Sequence, residues 1–222
     1  AVWEILLRIP YGSVITYGEI SQMIAGQRGL ARMSAQADRA GVQRIRDTIR
    51  TAELDGPVKK LAGRTEAYLA KTVILASGAS PRPIGCKNED AYVGRGISFC
   101  ATCDAAFFRD LEVFVAGGGN AAVEEALYLT GFARSVTLIY SSERLTAPKI
   151  LQEQAAQNPK LRFLPHSVVE EVGGEGHDVL DRMVMRNVQT GQLTELRADS
   201  RDGMFGLFGF LGFQPSTRLF EG

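Results

Sequence analysis

Apolar and polar positions along the middle of the chain repeat in the order typical of a β-strand, an α-helix and a second β-strand. Residues 112–116 (EVFVA) and 136–140 (VTLIY) are short apolar runs, and residues 120–130 between them have apolar side chains at helical spacing. This order predicts a βαβ unit whose two strands are parallel. A turn of three glycines, residues 117–119, joins the first strand to the helix.

Similar patterns predict further elements on both sides of this unit. Residues 148–157 have the pattern of a helix that begins with a proline, and residues 161–164 and 179–188 have that of strands. Before the unit, residues 72–76 (TVILA) are typical of a buried strand, whereas the periodicity of residues 41–56 does not decide between a helix and a twisted strand. We therefore predict an α/β fold with a Rossmann-like domain.

The composition excludes several functional classes. The 222 residues are 45% hydrophobic, which is enough for one large core or two smaller ones. The 25 Lys and Arg residues balance the 25 Asp and Glu residues, so the chain has no general attraction to nucleic acid or to an anionic membrane. No long apolar run or basic leader is present, so we predict a cytoplasmic protein without a membrane partner. The two histidines are isolated, and we predict no metal site.

Three cysteines bear on the chemistry. Cys100 and Cys103 form a Cys-x-x-Cys pair, in which two sulfurs can close a small ring, whereas Cys86 stands apart. In such a pair one thiolate attacks a partner's disulfide and the other resolves the mixed disulfide. Asp104 directly follows the second cysteine and is a ready proton source. We predict that Cys100, Cys103 and Asp104 are catalytic and that the pair forms a reversible disulfide.

The glycine turn has the spacing of a dinucleotide-binding loop. A Gly-x-Gly-x-x-Ala sequence follows a predicted strand and opens a predicted helix, the context in which the backbone approaches a pyrophosphate. In such folds the ribose lies near the residues that follow the second strand. The candidate nucleotide-binding residues are therefore Gly117, Gly118, Gly119, Asn120, Ala121, Ala122, Ser141, Ser142 and Arg144.

These motifs together resemble bacterial thioredoxin reductase over roughly residues 40–222. The matching segments are residues 71–82 (KTVILASGASPR), residues 100–104 (CATCD) and residues 117–130 (GGGNAAVEEALYLT). The resemblance implies a flavoprotein oxidoreductase that passes electrons from NADPH or NADH through FAD to the dithiol. Thioredoxin or a similar dithiol protein is the implied partner, and a homodimer is consistent with the family.

The resemblance also implies a role for individual residues. Cys103 is expected to face the flavin, Cys100 to attack the partner and Asp104 to act as general acid. Gly78 and Ala79 are expected to contact FAD. Two further elements with which the family encloses FAD do not occur in this sequence: a Gly-x-Gly-x-x-Gly turn for the FAD pyrophosphate and a Gly-Asp segment that closes over the flavin. We therefore expect that the chain alone retains no stable FAD and has little reductase activity with NADPH.

The choice of nucleotide depends on the residues after the second strand of the βαβ unit. Family members that use NADPH have a His-Arg-Arg run there and a further arginine, which neutralise the 2′-phosphate. This sequence has Tyr140, Ser141 and Ser142 instead, and Arg144 is the cation that remains nearby. The resemblance thus implies a weakened preference for NADPH. It leaves two alternatives: NADH, favoured by Glu143, or a loss of nucleotide binding.

The first 37 residues differ from the rest. Residues 2–12, 17–20 and 31–37 are similar to the DNA-binding part of DNA alkylguanine alkyltransferases and suggest a helix-turn-helix. That family's repair motif, Pro-Cys-His-Arg, is absent from the sequence, so we do not predict alkyl transfer. Two roles stay open: a helical segment without a DNA function, and a DNA-binding module fused to a non-catalytic redox domain. The neutral charge favours the first, so we expect no nucleic-acid partner.

We therefore predict a chain of three parts. Residues 1–37 form a helical, alkyltransferase-like segment. Residues 38–89 together with 200–222 form a partial FAD domain. Residues 90–199 form the pyridine-nucleotide-binding domain that contains the cysteine pair.

Overall fold

The structure is a computed structural model that describes residues 30–174, 178–199 and 201–219. The described residues form two compact units. The first unit extends to Leu75, and the second extends from there to Thr217. Within the described ranges, no helix has the length and the apolar character that crossing a membrane requires.

The first unit consists of a helix and a three-stranded antiparallel meander. Its elements are α1 (Leu30–Arg39), β1 (Thr51–Glu53), β2 (Lys59–Ala62) and β3 (Ala67–Ala70). Strand β2 lies in the middle and pairs with both neighbours. Residues 42–50, for which the sequence pattern leaves a helix and a strand open, are irregular.

One carboxylate ties the meander to the irregular segment before it. The donors to Asp47, at 2.7–3.4 Å, are the backbone N–H groups of Thr48, Arg64, Thr65 and Glu66 and the hydroxyl groups of Thr65 and Tyr68. Burial raises the pKa of the Asp47 carboxyl, but the hydrogen bonds outweigh burial and hold this pKa well below its usual range. The charged form of Asp47 therefore stabilises the first unit.

The second unit contains a parallel sheet with helices, an antiparallel sheet and a short ribbon. Its helices are α2 (Glu89–Tyr92), α3 (Ala101–Asp104), α4 (Asn120–Leu129) and α5 (Lys149–Gln157), and a 3₁₀ turn (Ala105–Phe108) follows α3. Its strands are β4 (Ala79–Pro81), β5 (Ile97–Ser98), β6 (Glu112–Ala116), β7 (Ser135–Ile139), β8 (Leu161–Leu164), β9 (Ser167–Gly173), β10 (Arg182–Asn187), β11 (Leu193–Arg197), β12 (Gly206–Gly209) and β13 (Phe213–Pro215).

The parallel sheet is the core of the second unit. Among the described residues it has five strands in the order β5-β12-β6-β7-β8, and all neighbours are parallel. Helix α4 shares a buried core with this sheet, and its small side chains Ala122 and Ala126 are fully buried. The unit β6-α4-β7 has the predicted limits to within one residue. The predicted α/β class with a Rossmann-like core is confirmed.

The other two sheets of the second unit are smaller. Strands β9, β10 and β11 form an antiparallel sheet, and β4 pairs with β13 in a two-stranded ribbon. Strand β9 was not predicted. A bulge at Glu170 lies opposite the step between Val184 and Met185 and interrupts the alternation of apolar and polar residues by which a strand is recognised.

Two segments bear on the predicted assignments. The predicted strand at residues 72–76 is wrong: these residues have no regular structure, and Ile74 is 92% exposed. A strand needs a neighbour that pairs with its backbone, and the described residues provide none for this run. Residues 206–209, which the predicted division gives to the FAD domain, form β12 in the middle of the parallel sheet. The predicted three-part division stays a prediction.

Candidate functional site

The dithiol lies at the carboxyl end of strand β5. Cys100 and Cys103 form a disulfide across the turn that opens α3, with 5.3 Å between their Cα atoms. Two intervening residues in a helical turn bring the sulfurs within bonding reach. Both side chains are part exposed, so a partner's sulfur can approach them. The predicted pairing is confirmed, and its reversibility stays a prediction.

A buried serine connects the dithiol with the predicted acid. Ser98 is 5% exposed, and its hydroxyl group donates to Asp104 Oδ2 over 2.6 Å. The same hydroxyl oxygen accepts from the backbone N–H of Cys100 over 3.1 Å. The serine therefore fixes the Asp104 carboxyl relative to the first cysteine. Ser98 was not predicted, although a hydroxyl residue at the end of an apolar strand, two positions before a redox cysteine, was an available signal.

The cysteines have different surroundings. The Thr102 hydroxyl oxygen lies 3.4 Å from Cys100 Sγ, within hydrogen-bonding reach of sulfur. After reduction this hydroxyl group can donate to a Cys100 thiolate, which favours Cys100 as the attacking sulfur. Cys86 is buried away from the pair. Burial and the Glu89 carboxylate raise the pKa of the Cys86 thiol to about 12, so it remains a thiol.

The glycine turn follows strand β6 directly. Gly117 has a φ angle of 144°, and a Cβ atom there would lie 2.5 Å from the carbonyl oxygen of Phe210 and 2.9 Å from the Ala122 side chain. Only glycine fits this position without displacing backbone. The carbonyl oxygen of Gly118 accepts from the backbone N–H of Thr146 over 2.9 Å and from its hydroxyl group over 3.3 Å. The turn is thus fixed by close packing at Gly117 and by the hydrogen bonds from Thr146 to Gly118.

The start of helix α4 provides room for an anion. Gly119 is the N-cap residue, and a Cβ atom there would point into open space, with Thr146 Oγ1 as its nearest neighbour at 3.9 Å. The first N–H groups of a helix have no intrahelical acceptor and can bind a pyrophosphate. The space that a side chain would fill at Gly119 is the space that such a ligand needs. The residues present therefore fit a dinucleotide.

A cleft of about 250 Å³ lies beside the glycine turn. Its lining includes five of the predicted nucleotide-binding residues: Gly117, Gly118, Gly119, Ser141 and Ser142. The other four, Asn120, Ala121, Ala122 and Arg144, do not line it. Thr146 also lines the cleft, and its contact with Gly118 is a tertiary contact that no local sequence pattern indicates.

The dithiol and the cleft lie at the same edge of the parallel sheet. Strands β5, β12 and β6 are adjacent and parallel; the disulfide follows β5 and the glycine turn follows β6. Adjacent strands are about 4.8 Å apart, so the carboxyl ends of β5 and β6 are separated by roughly 10 Å. Ligands of open α/β sheets bind outside the carboxyl ends of the strands.

This combination of features agrees with one family. The family model described as pyridine nucleotide-disulphide oxidoreductase matches residues 12–222. The chain is a pyridine nucleotide-disulphide oxidoreductase family member.

Several relatives of this chain are thioredoxin reductases. That of Peptoclostridium acidaminophilum is 47% identical over 193 residues, which cover 87% of this chain and 61% of the relative. That of Streptomyces coelicolor is 40% identical over 200 residues, 90% of this chain and 60% of the relative. The crystal structure of Lactococcus lactis thioredoxin reductase has a TM-score of 0.72 at 32% identity, covering 96% of this chain and 65% of that one. The chain thus spans about 60% of the length of these curated relatives.

The comparisons do not support the predicted alkyltransferase resemblance. The match to the oxidoreductase family begins at residue 12 and so includes most of residues 2–37, which the sequence analysis compared with alkyltransferases. Residues 1–29 lie outside the described residues. The alternative of a DNA-binding module likewise has no support in these relatives.

The two residues predicted to contact FAD lie at the start of the ribbon of β4 and β13. Gly78 has a φ angle of 78°, and no described atom lies within 4 Å of the position of its Cβ. Ala79 begins β4, and every residue of both strands is exposed. An open glycine backbone leaves room for the close approach of a flat ligand, and contact of Gly78 and Ala79 with FAD stays a prediction.

Proposed function

We propose that the chain contains the dithiol and the nicotinamide-nucleotide site of a thioredoxin-disulfide reductase. The main support is the position of the Cys100–Cys103 disulfide and the glycine turn at one edge of one parallel sheet. The names of the relatives support the choice of partner, because those described above are called thioredoxin reductase.

In this proposal each cofactor has a set of candidate binding residues. The two electrons that reduce the disulfide are supplied by a nicotinamide nucleotide through FAD when these groups are bound. The backbone of Gly118 and Gly119 would hold the pyrophosphate, and Ser141 would lie at the ribose. Gly78 would contact the flavin, as predicted from the resemblance.

The reduced dithiol reacts in two steps. First, the Cys100 thiolate attacks one sulfur of oxidised thioredoxin, the partner's S–S bond breaks, and a mixed disulfide forms. Second, the Cys103 thiolate attacks the Cys100 sulfur, which restores the internal disulfide and releases the second partner sulfur. Two electrons pass to thioredoxin in this sequence, and its two thiolates take up two protons.

Asp104 and Ser98 handle one of these protons. The Asp104 carboxylate removes the proton of the Cys103 thiol and passes it to the departing partner thiolate, and the other proton comes from water. Ser98 positions this carboxylate, because its hydroxyl group donates to Asp104 Oδ2 and is itself held by the Cys100 N–H. Asp104 is thus the catalytic acid and base of the proposal, and Ser98 is a positioning residue.

A trapping experiment tests the proposed partner. In Cys103→Ser, Cys100 has no resolving thiol, so it should form a lasting mixed disulfide with a bacterial thioredoxin that keeps only its attacking cysteine and has been activated with DTNB. Cys100→Ser is the matched control and should trap much less. Absence of a thioredoxin adduct in Cys103→Ser, while free DTNB still reacts with Cys100, would contradict the proposal.

The remaining predictions about the whole protein need separate measurements. A homodimer is testable by sedimentation, and a cytoplasmic location by cell fractionation. The division into three parts is testable by limited proteolysis, which should cut at the predicted boundaries.

A further inference from the structure

We propose that the nucleotide cleft selects a dinucleotide whose adenosine ribose has no 2′-phosphate, that is, NAD(H) over NADP(H). The inference rests on the proposed nucleotide site and specifies its substrate class. A phosphate monoester has a charge of about −1.5 to −2 near neutral pH. Sites that accept it place an arginine beside the ribose, whereas sites for the free diol offer uncharged or acidic hydrogen-bonding groups.

The lining of the cleft contains hydroxyl groups where a 2′-phosphate would need cations. Ser141 and Ser142 follow strand β7 and line the cleft, and Thr146 lines it beside the glycine turn. Among the described residues that line this cleft, none is lysine, arginine or histidine. The hydroxyl groups of Ser142 and Thr146 donate to backbone carbonyl oxygens and can accept from a ribose hydroxyl group, whereas that of Ser141 can donate or accept.

Arg144 does not supply the missing charge. It is the one cationic residue in the loop of residues 140–148, yet it does not line the cleft and its side chain is exposed. The Ser142 hydroxyl group donates to the Arg144 carbonyl oxygen over 2.7 Å, which fixes the turn between them. Glu143 lies between the two in the sequence and, like Arg144, does not line the cleft. A 2′-phosphate there would meet no lysine, arginine or histidine among the described residues that line the cleft.

Backbone hydrogen bonds hold this loop in place. The Tyr140 carbonyl accepts from the N–H of Ser167 over 3.0 Å, and the Ser142 carbonyl accepts from the N–H of His166 over 3.3 Å. At the other end, the Thr146 N–H donates to the Gly118 carbonyl. The hydroxyl groups at the cleft are therefore presented by an anchored backbone.

A binding measurement with two non-redox probes tests the inference on the full chain. Isothermal titration calorimetry with ADP-ribose and with 2′-phospho-ADP-ribose compares ligands that differ only in the 2′-phosphate and need no flavin. We expect ADP-ribose to bind at least about tenfold more tightly, a factor typical of one hydrogen bond to a charged group. Equal or tighter binding of 2′-phospho-ADP-ribose would overturn the inference but leave the nucleotide site intact. Failure of both probes to bind would overturn the nucleotide site itself, and the inference with it.

A charge-gain variant gives an independent test. The double variant Ser141→Arg with Ser142→Arg should reverse the preference in favour of the 2′-phosphorylated probe, and the gain should weaken as salt is added. The matched control is Gln154→Arg with Gln157→Arg, which adds the same charge on exposed positions of α5, away from the cleft. An equal gain in the control would show a general charge effect and contradict a ribose site at Ser141 and Ser142.

Discussion

Two residues of the glycine turn, Gly117 and Gly119, should respond to the same substitution in different ways. Gly117→Ala should destabilise the fold, whereas Gly119→Ala should leave the fold intact and weaken nucleotide binding. The contrast arises because the space of a Cβ atom at Gly117 is taken by atoms of Phe210 and Ala122, whereas the corresponding space at Gly119 is open to a ligand.

The structure gives a magnitude for each variant. At Gly117 the added methyl group meets the Phe210 carbonyl and the Ala122 side chain, and the φ angle of 144° is unfavourable for alanine. Overpacking and backbone strain together should lower the free energy of unfolding by roughly 2–5 kcal/mol. At Gly119 the φ angle is −86° and ψ is −177°, an extended conformation open to any residue. The loss of a glycine N-cap and the smaller unfolded-state entropy offset each other to within about 1 kcal/mol.

The binding cost of Gly119→Ala follows from the same geometry. The new methyl group occupies the space at the start of α4 where a pyrophosphate must approach the backbone N–H groups. We expect the affinity for ADP-ribose to fall at least about tenfold, or about 1.4 kcal/mol.

Two assays separate the effects. Denaturant unfolding gives the free energy of unfolding, and calorimetry with ADP-ribose gives the affinity. Wild-type affinity in a folded Gly119→Ala variant would refute the placement of the ligand. Wild-type stability of Gly117→Ala would refute the close approach of the backbone at that position.

Three further predictions concern the buried thiol, the serine beside the dithiol and acid stability. Cys86 should react with a maleimide only after unfolding, because burial raises the pKa of its thiol to about 12, whereas both redox cysteines should react after mild reduction; mass spectrometry counts the labels. Ser98→Ala should slow exchange of the reduced dithiol with DTNB and lower the free energy of unfolding by about 1–3 kcal/mol, because the Asp104 carboxylate loses a 2.6 Å hydrogen bond. Asp47→Asn should make stability less sensitive to acid below about pH 4, as measured by circular dichroism. Hydrogen bonds such as that of Thr65 lower the folded-state pKa of Asp47, so its carboxylate stabilises the fold above the unfolded-state pKa, and acid removes this contribution.

Each of these predictions has a control. Labelling of Cys86 in the folded, reduced protein at the rate of the redox cysteines would contradict its burial. Ser98→Thr keeps the hydroxyl group and should retain most of the exchange rate; a loss as large as that of Ser98→Ala would point to packing instead. Asp55→Asn removes a carboxylate from an exposed position near the meander and should leave the acid transition close to that of the wild type.

The parts of the fold that the sequence predicts well are local. The βαβ unit has an apolar run, a glycine turn and a helical repeat within about thirty residues, and each pattern arises from contacts between near neighbours. The cysteine pair is equally local, because two intervening residues determine the distance between the sulfurs.

The parts that the sequence did not predict depend on distant partners. Strand β12 pairs with β5 and β6, from which it is separated by roughly a hundred residues, and no local pattern identifies partners at that distance. The run at residues 72–76 looks like a strand but has no pairing partner among the described residues. Ser98 and Thr146 became visible as site residues only when the fold brought their hydroxyl groups to Asp104 and Gly118.

Strand β12 explains why the dithiol and the glycine turn lie close together. It lies between β5 and β6, and its carboxyl end contacts both sites. A Cβ atom at Gly209 would lie 2.7 Å from the ring of Phe99, the residue before Cys100, and the next carbonyl oxygen, that of Phe210, lies against Gly117. The end of β12 therefore supports both motifs. Gly209 leaves room for the Phe99 ring beside the dithiol, and the Phe210 carbonyl oxygen requires a glycine at position 117 of the glycine turn. Because a shift of this strand end would displace both neighbours at once, the spacing between the nucleotide cleft and the disulfide is a property of the sheet and not of either motif alone.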